Sequence, residues 1–361
     1  MTAPSPQDEG PRESVPCVVC GADEPSPFID LQESIEGIGG SFTLQRCGRC
    51  GHLYLSPRPT PEDLGRFYPS RYYGPVASLP ADATPDNETG NNPAAPALTT
   101  HIRHQGGRRV RRIQSALRQH LGYPGDEPVT AGRKLLTWWT ARRLRRGRRY
   151  VDTLPWVGRG RLLDFGMGNG RFLRLQRQRG WTVTGMDFNP EVVAHARRHD
   201  GLEAEAGSWP GPAFADRQFD IITSWHVIEH LPDPVGYLRA AAERLAPGGV
   251  LLTCCPNGRS WAAAFFKQYW IGYDTPRHFS VFTKPQLIRL VEEAGLRFVR
   301  HRPQVRPATL RASCEIRAKH TGSSFWGFAA RRKLFWSVVA RLSGAFGRCD
   351  CMIVIAEKPA A

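Results

Sequence analysis

The sequence predicts an α/β fold in which helices cover both faces of a parallel sheet, preceded by a small cysteine-rich module. From about residue 158 onward, strand-like runs alternate with helix-like runs, a pattern typical of parallel sheets. The stretch LLDFGMGNGRFL at 162–173 is typical of a strand that turns tightly into a helix. Before residue 72, two Cys-x-x-Cys-Gly pairs and short aromatic strand-like pieces indicate the separate module.

The composition favours a globular protein with one large core and a smaller unit. The chain has 361 residues, of which 41% are hydrophobic. Its first ten residues, MTAPSPQDEG, lack the apolar run of a signal peptide. No segment approaches the roughly 18 uninterrupted apolar residues that a membrane span requires. We therefore expect a cytoplasmic protein.

The chain is strongly basic, and the excess charge is concentrated in one segment. Its formal net charge is +16, and residues 101–150 hold thirteen arginines and one lysine against two acidic residues. Such a block could contact nucleic acid, an anionic membrane surface or a phosphorylated substrate. It could equally be a solvated linker.

Composition divides the chain into four regions. A cysteine-rich module occupies 15–72, and the Pro-, Ala- and Asn-rich segment 73–100 is expected to be a disordered linker. A basic helical connector follows at 101–157. The α/β domain takes 158–358, with an insertion at 306–348.

The module carries a pattern typical of a structural zinc site. Cys17 and Cys20 form one pair and Cys47 and Cys50 the other, each followed by a glycine that accepts positive φ. Four thiolates make a closed tetrahedral site with no position for substrate. Disulfides or free thiols are the alternative, which a cytoplasmic location disfavours. A unit this small also needs a metal to hold a core.

The glycine-rich stretch predicts a nucleoside site. Glycines stand at Gly166, Gly168 and Gly170, but Arg171 takes the place of the third glycine in the dinucleotide fingerprint. The next predicted strand, WTVTGMDFN, ends at Asp187, whose carboxylate could accept hydrogen bonds from both hydroxyls of a ribose. We therefore expect a nucleoside ligand for which a phosphate is not obligatory.

Four stretches resemble the successive motifs of class I S-adenosylmethionine-dependent methyltransferases: LLDFGMGNGRFL, VTGMDFNPEVVAHAR, FDIITSWHVIEHLPDP and LAPGGVLLTCCPN. The resemblance covers about 158–358 and implies a Rossmann-like domain with a seven-stranded, mostly parallel sheet. Its last two strands would be RFVRHRPQV and CMIVIAEKP, an antiparallel pair. The cysteine pairs and DTPRHFSVFTKPQLIRLVEEAGL are similar to a bacterial branch with an N-terminal zinc-ribbon-like module, often linked to sugar, glycolipid or surface-polysaccharide modification.

The resemblance also implies a cofactor, S-adenosylmethionine, and the residues that bind it. Asp187 would take the ribose and Phe188 would lie against the adenine. Where the family often has an acidic residue after strand three, this chain has Ser208 and Trp209, which we assign to the same cofactor site. The motif residues implied for the methionine end are Asp164, Gly166, Gly168 and Gly170.

Methyl transfer requires mainly that the acceptor be placed in line with the methyl group. A base matters if the acceptor is a hydroxyl or a carbon acid, and histidine is the natural candidate near neutral pH. His226, after the fourth strand, and His278, in TPRHF, are the candidate catalytic residues. Each could instead be a structural, hydrogen-bonded histidine. Glu229 and His230 are expected to be structural or on the cofactor side.

The segment HVIEH also matches the H-x-x-E-H signature of a zinc peptidase. A peptidase of this kind carries these residues on a sustained helix with a further ligand beyond it. Pro232 and Pro234 follow the segment at once, which disfavours such a helix.

The insertion contains one amphipathic helix. A membrane-surface helix and a helix packed on the domain would both have this pattern, and we favour packing. The apolar residues that recur at helical spacing are Phe335, Val338, Val339, Leu342 and Phe346.

The sequence therefore predicts a cytoplasmic methyltransferase, with basic segments that could bring it to the inner membrane surface. We expect the acceptor to be a saccharide, a glycolipid or a surface-polysaccharide precursor. An alternative is O-methylation of a quinone precursor, because SWHVIEHL is similar to such enzymes, although the zinc pairs argue against it. A nucleic-acid-binding protein with a zinc ribbon and an arginine-rich arm is the third hypothesis. This hypothesis predicts that the affinity for nucleic acid falls steeply as the salt concentration rises. It is disfavoured because residues 15–72 are not basic overall.

Overall fold

A computed structural model describes residues 10–33, 35–69, 108–125, 131–144 and 153–360. The predicted linker at 73–100 lies outside the described residues. The described chain divides into two compact units that do not follow chain order. The first unit combines the residues up to Pro69 with Ser224–Glu243 and Leu252–Glu357. The second unit contains the described residues from 108 to Thr223, Arg244–Leu251 and 358–360.

The secondary structure alternates between strands and helices after residue 160, as predicted. The strands are β1 (Arg12–Glu13), β2 (Pro25–Gln32), β3 (Ser41–Cys47), β4 (Leu53–Leu55), β5 (Arg58–Pro59), β6 (Arg161–Phe165), β7 (Thr182–Asp187), β8 (Glu203–Ala206), β9 (Phe219–Trp225), β10 (Leu245–Pro256), β11 (Ser280–Val281), β12 (Arg297–Gln304) and β13 (Cys351–Glu357). The helices are α1 (Pro61–Leu64), α2 (Arg108–Leu121), α3 (Ala131–Leu144), α4 (Arg171–Arg177), α5 (Pro190–Asp200), α6 (Pro234–Arg244), α7 (Trp261–Phe266), α8 (Lys284–Glu293), α9 (Pro307–Thr321), α10 (Ser324–Ala330) and α11 (Lys333–Ala345). Single 3-10 turns occupy Gly65–Phe67, Ile228–His230, Lys267–Tyr269 and Ile271–Tyr273.

Seven strands form one sheet in the order β12-β13-β10-β9-β6-β7-β8. Strands β6, β7 and β8 pair in parallel, whereas β12 and β13 pair antiparallel. The central strands are buried almost throughout, as expected when helices cover both faces of a sheet. The predicted Rossmann-like fold and the antiparallel final pair are confirmed.

A second sheet of four strands has the order β11-β4-β3-β2. The strands β2, β3 and β4 come from the cysteine-rich module and pair antiparallel. The fourth strand comes from far along the chain, because Ser280 pairs with Tyr54 and Val281 with Leu53. The module is therefore built into the first unit, a connection that the sequence did not predict.

Apolar packing and one buried ion pair connect the module to the rest of the first unit. Phe42 and Leu44 of β3 belong to the same buried cluster as Trp270 and Phe279. The fully buried guanidinium of Arg277 also binds Glu33 of the module, as well as the nearby Asp274.

The insertion forms three helices, α9 to α11, between β12 and β13. In α11 it is Trp336 and Ala340 that face the core. The face predicted to pack on the domain is instead largely exposed: Phe335 58%, Val338 47%, Leu342 49% and Phe346 70%. Val339 is the member of that set that packs against the core. The expectation of packing was wrong for the other four because periodicity identifies an apolar face but not what covers it.

Within the part of the chain that the structure describes, no helix combines the length and the hydropathy needed to cross a membrane.

Candidate cofactor, acceptor and metal sites

The glycine loop lies in the second unit, between β6 and α4. Gly166, Gly168 and Gly170 all have positive φ, which favours glycine. A Cβ at Gly170 would approach the side chain of Leu202 to 2.7 Å, so this glycine is also required for packing. A Cβ at Gly168 would meet nothing within 4 Å. The loop therefore leaves open space beside the backbone at Gly168.

Asp187 connects this loop to the next helix. Its Oδ2 accepts a hydrogen bond from the Gly168 N–H at 2.9 Å, and its Oδ1 accepts one from the Asn189 N–H at 3.0 Å. Burial raises the pKa of Asp187 above its ordinary value, although the backbone N–H groups around it oppose the shift. Each carboxylate oxygen has a second lone pair. The carboxylate has four lone pairs and three neighbouring backbone N–H groups, so it keeps the capacity to accept a hydrogen bond from a ligand.

Asp164, at the end of β6, is buried in the same unit. One of its oxygens accepts a hydrogen bond from the Thr223 hydroxyl at 2.6 Å. Burial raises the pKa of Asp164 well above its ordinary value, and the nearby Asp187 charge adds to the shift. A positively charged ligand beside Asp164 would oppose both effects.

The residues predicted to contact the adenine differ in exposure. Phe188 is 53% exposed and Ser208 is exposed, so both are accessible to a ligand. Trp209 is buried, with its ring against Phe165 and under the guanidinium of Arg244. The assignment of Trp209 to the cofactor site is therefore corrected: its indole belongs to the core.

His226 lies in the first unit, directly after β9, with a φ of 58° that is uncommon for a residue other than glycine. Its Nδ1 is 3.2 Å from Glu229 Oε1, and its Nε2 is 2.7 Å from the guanidinium of Arg306. Because a guanidinium only donates, Nε2 is the acceptor and Nδ1 carries the hydrogen that Glu229 accepts. His226 could therefore accept a proton only when Arg306 moves away from Nε2.

The rings of His230 and His278 pack edge to face in the first unit, with centroids 4.5 Å apart. The Nδ1 of His278 lies 2.8 Å from the carbonyl oxygen of Gly272, and that of His230 lies 3.0 Å from the carbonyl oxygen of Arg277. A carbonyl oxygen only accepts, so both Nδ1 atoms carry the hydrogen and both Nε2 atoms have a lone pair. The hydroxyl of Tyr68 also contacts His230 Nδ1, at 2.9 Å.

Glu229 completes a cluster with these two histidines. Candidate ligand atoms from Glu229, His230 and His278 all lie within 4.8 Å of one another. Among the described residues, no group donates a hydrogen bond to the buried Glu229 Oε2. Burial lowers the pKa of His230 to about 4, and His278 adds to the effect, so this ring is neutral at neutral pH. The cluster can accept a proton, a hydroxyl hydrogen or a cation.

The four cysteines of the module converge, as predicted. Cys17 and Cys50 have their sulfurs 3.6 Å apart, as do Cys20 and Cys47, and all four lie within 4.8 Å of one another. A disulfide would require about 2.05 Å. Tetrahedral zinc, with Zn–S bonds of about 2.3 Å, places its sulfurs about 3.8 Å apart. The cluster therefore fits a closed tetrahedral metal site.

Two tight turns produce this convergence. Gly21 and Gly51 have positive φ, and their N–H groups donate to the carbonyl oxygens of Cys17 and Cys47 at 2.8 and 2.9 Å. The glycines that follow the two pairs therefore have the role that the sequence predicted.

A comparison with known protein families finds a match for the region that contains the glycine loop. Residues 133–301 match a family model described as "Methyltransferase domain". This match and the seven-stranded sheet, which extends beyond the matched region to β13, show the fold of a class I S-adenosylmethionine-dependent methyltransferase domain.

Curated relatives resemble part of this methyltransferase domain. The "Ubiquinone biosynthesis O-methyltransferase" of Cereibacter sphaeroides strain ATCC 17025 is 34% identical over 154 residues, which is 40% of this chain and 62% of that protein. The protein of the same name from Idiomarina loihiensis is 30% identical over 148 residues, 38% of this chain and 61% of that protein. The chain thus spans less than two thirds of the length of these relatives. Their names do not support the predicted sugar-linked branch.

A solved structure with a similar arrangement is an S-adenosylmethionine-dependent methyltransferase from Mesorhizobium loti. It is 17% identical, covers 58% of this chain and 94% of its own, and gives a TM-score of 0.40. A similarity this distant says nothing about substrate.

The peptidase interpretation does not fit this methyltransferase domain. Ile228–His230 forms only a single 3-10 turn, and His226 stands before it in a left-handed conformation. The two histidines therefore do not share one face of a sustained helix, which the zinc peptidase motif requires.

The sequence did not predict that three residues would lie around the histidines. Arg306 precedes the first helix of the insertion, and Tyr68 follows the 3-10 turn near the end of the module, so neither is near His226 or His230 in sequence. Glu33 accepts a hydrogen bond from Arg277, the residue that directly precedes His278. The aromatic run YPSRYYG was the one available signal, and it did not indicate which ring would reach a histidine.

Proposed function

We propose that the protein transfers a methyl group from S-adenosylmethionine to a hydroxyl oxygen of an organic acceptor. The observation that carries the proposal is Asp187, whose two oxygens bridge the open glycine loop and the start of α5. A carboxylate in this position keeps acceptor capacity for the hydroxyls of a ribose. The match of 133–301 to a methyltransferase domain supports it.

Different residues of the second unit would bind different parts of the cofactor. Asp187 would orient the ribose, and the exposed ring of Phe188 would cover one face of the adenine. The open backbone at Gly168 would accommodate the methionine end. The buried Asp164 would face positive charge there, which favours its ionised form. When bound, the cofactor supplies an activated methyl group.

The residues of the first unit supply the acceptor chemistry. We assign the role of base to His278, because its Nδ1–H is fixed by the Gly272 carbonyl and its Nε2 has a lone pair. The other candidate, His226, has its Nε2 engaged by Arg306. Glu229 would accept the hydrogen bond of a second hydroxyl through Oε2, to which no described group donates.

We propose a phenolic hydroxyl of a quinone-type precursor as the first acceptor class and a saccharide hydroxyl as the second. The names of the curated relatives support the phenol. Physical chemistry agrees, because a phenol, with a pKa of about 10, loses its proton to a histidine more readily than an alcohol does. The motif resemblance of the cysteine module is what supports the saccharide.

We further propose that the four cysteines hold a structural zinc ion. Their sulfur separations support this, and a set of four thiolate ligands leaves no open coordination position for a substrate. Zinc there would hold the turns after Cys17 and Cys47 together and thereby fix β2 to β4.

Methyl-group assays with matched acceptors test the proposal. Purified protein is incubated with S-adenosylmethionine labelled on its methyl group and either a catechol-type phenol with an isoprenoid chain or a sugar nucleotide. Label on the phenol supports the first acceptor class, and label on the sugar supports the second. Label on neither, in a protein that binds S-adenosylhomocysteine, contradicts O-methylation of both classes.

A further inference from the structure

Three helices of the first unit expose an unusual number of large apolar side chains. We call this set the apolar patch, and it lies on α7, α10, α11 and the residue that directly follows α11. Each member is at least 41% exposed. The members are Trp261, Phe265, Phe325, Phe328, Leu334, Phe335, Val338, Leu342 and Phe346.

Ring contacts connect the three helices beneath and within the patch. Trp261 of α7 stacks on Phe346 at 5.6 Å, and Phe265 lies 6.1 Å from Trp326 of α10. The opposite faces are anchored, because the buried rings of Phe266 and Trp336 pack at 5.8 Å. The exposed side chains therefore stand on a packed base, and soluble monomers rarely expose so large an apolar surface.

The segments that carry the patch have charges of only one sign. The segments 258–273 and 316–349, which contain all three helices, have no aspartate or glutamate. Exposed basic residues flank the apolar ones; they are Arg259, Lys267, Arg331, Arg332, Lys333, Arg341 and Arg348. A helix surface that combines aromatic and aliphatic side chains with surrounding arginine and lysine is typical of proteins that lie on membranes.

We propose that the apolar patch docks the protein onto an anionic phospholipid surface. The apolar side chains would enter the boundary between headgroups and acyl chains, and the basic rim would face the phosphates. The charge complementarity favours this occupant over a second copy of the chain, because two such patches would bring like charges together. The inference goes beyond the proposed reaction and does not depend on it.

Vesicle sedimentation tests the proposal with the full chain. We expect the protein to pellet with phosphatidylcholine vesicles that contain phosphatidylglycerol and to remain in solution with phosphatidylcholine alone. The double variant Leu334→Ser/Phe335→Ser should bind the anionic vesicles at least tenfold more weakly, since each of its two substitutions removes an inserted apolar side chain. The double variant Lys333→Gln/Arg341→Gln should lose about fivefold per charge.

The matched control is Val299→Ser, because Val299 is an exposed apolar residue on β12 outside the patch. It should bind like the wild type. Thermal unfolding of each variant verifies that these exposed substitutions leave the fold intact. Equal binding by wild type and the Leu334/Phe335 variant would overturn the proposal. So would a dimer in light scattering that the same variant dissociates, since the patch would then be an interface between copies.

Discussion

The buried ion pair around Arg277 should contribute strongly to stability. The side chain of Arg277 is fully buried and donates to Glu33 Oε1 at 3.0 Å and, through Nε, to Asp274 Oδ1 at 2.9 Å. It also donates to the carbonyl oxygen of Phe67 at 3.2 Å. Replacing it by methionine keeps an unbranched apolar stem but leaves two carboxylates without their cation.

Removing one partner from a buried ion pair costs about 3–5 kcal/mol. For a cooperative unit of 150–250 residues, each kcal/mol shifts the unfolding temperature by roughly 2–4 °C. We therefore expect Arg277→Met to lower the unfolding temperature by roughly 6–20 °C. Scanning calorimetry or far-ultraviolet circular dichroism would measure it.

The matched control is Arg289→Met, because Arg289 also pairs with a carboxylate, Glu293, but both side chains are about half exposed. A surface pair of this kind contributes at most about 1 kcal/mol. If Arg277→Met and Arg289→Met lowered the unfolding temperature equally, the reasoning about the buried pair would be refuted.

Three further predictions concern pH, zinc and the base. The pKa values of Glu33 and Asp274 are lowered in the folded protein despite burial. The backbone N–H of Glu36 and the Arg277 guanidinium stabilise the Glu33 carboxylate, and Arg277 stabilises that of Asp274. Their contribution to stability should be complete above the ordinary values of 4.5 and 3.8 and should be lost as the pH falls through the lower values of the folded state. When the unfolding temperature is measured against pH, it should therefore fall more steeply in acid for wild type than for Arg277→Met. The protein should contain one zinc ion per chain by elemental analysis, and Cys47→Ser should lose it together with several degrees of unfolding temperature; metal-free wild type with unchanged stability would count against the site. Finally, His278→Ala should lower kcat by about 10²–10⁴-fold without changing S-adenosylhomocysteine affinity, and an unchanged kcat would exclude His278 as the base.

Local sequence patterns predicted the backbone structure around the glycine loop well. The glycine turn and Asp187 lie within about 20 residues of one another, and their chemistry follows from a strand, a turn and a helix in succession. The family resemblance predicted the antiparallel final pair of strands, which the structure confirms. The residues that form the glycine turn are neighbours in sequence.

The acceptor side depends on contacts between distant segments, which periodicity and spacing do not encode. Arg306 reaches His226 across 80 residues, and Tyr68 reaches His230 across 162. The pairing of Ser280 with Tyr54 is of the same kind. Trp209 was misassigned because motif position alone did not reveal that its ring would be buried.

The most direct test of the account is whether Asp187 binds the nucleoside of the cofactor. Calorimetric titration with S-adenosylhomocysteine should give micromolar affinity for wild type, and NAD should not compete. Because two hydrogen bonds to a charged acceptor contribute about 1.5–3 kcal/mol each, Asp187→Ala should weaken binding by at least 100-fold. The control Asp200→Ala, in a surface ion pair with Arg174, should bind as wild type does. Unchanged affinity in Asp187→Ala, or no binding by the wild type, would contradict the proposed cofactor site.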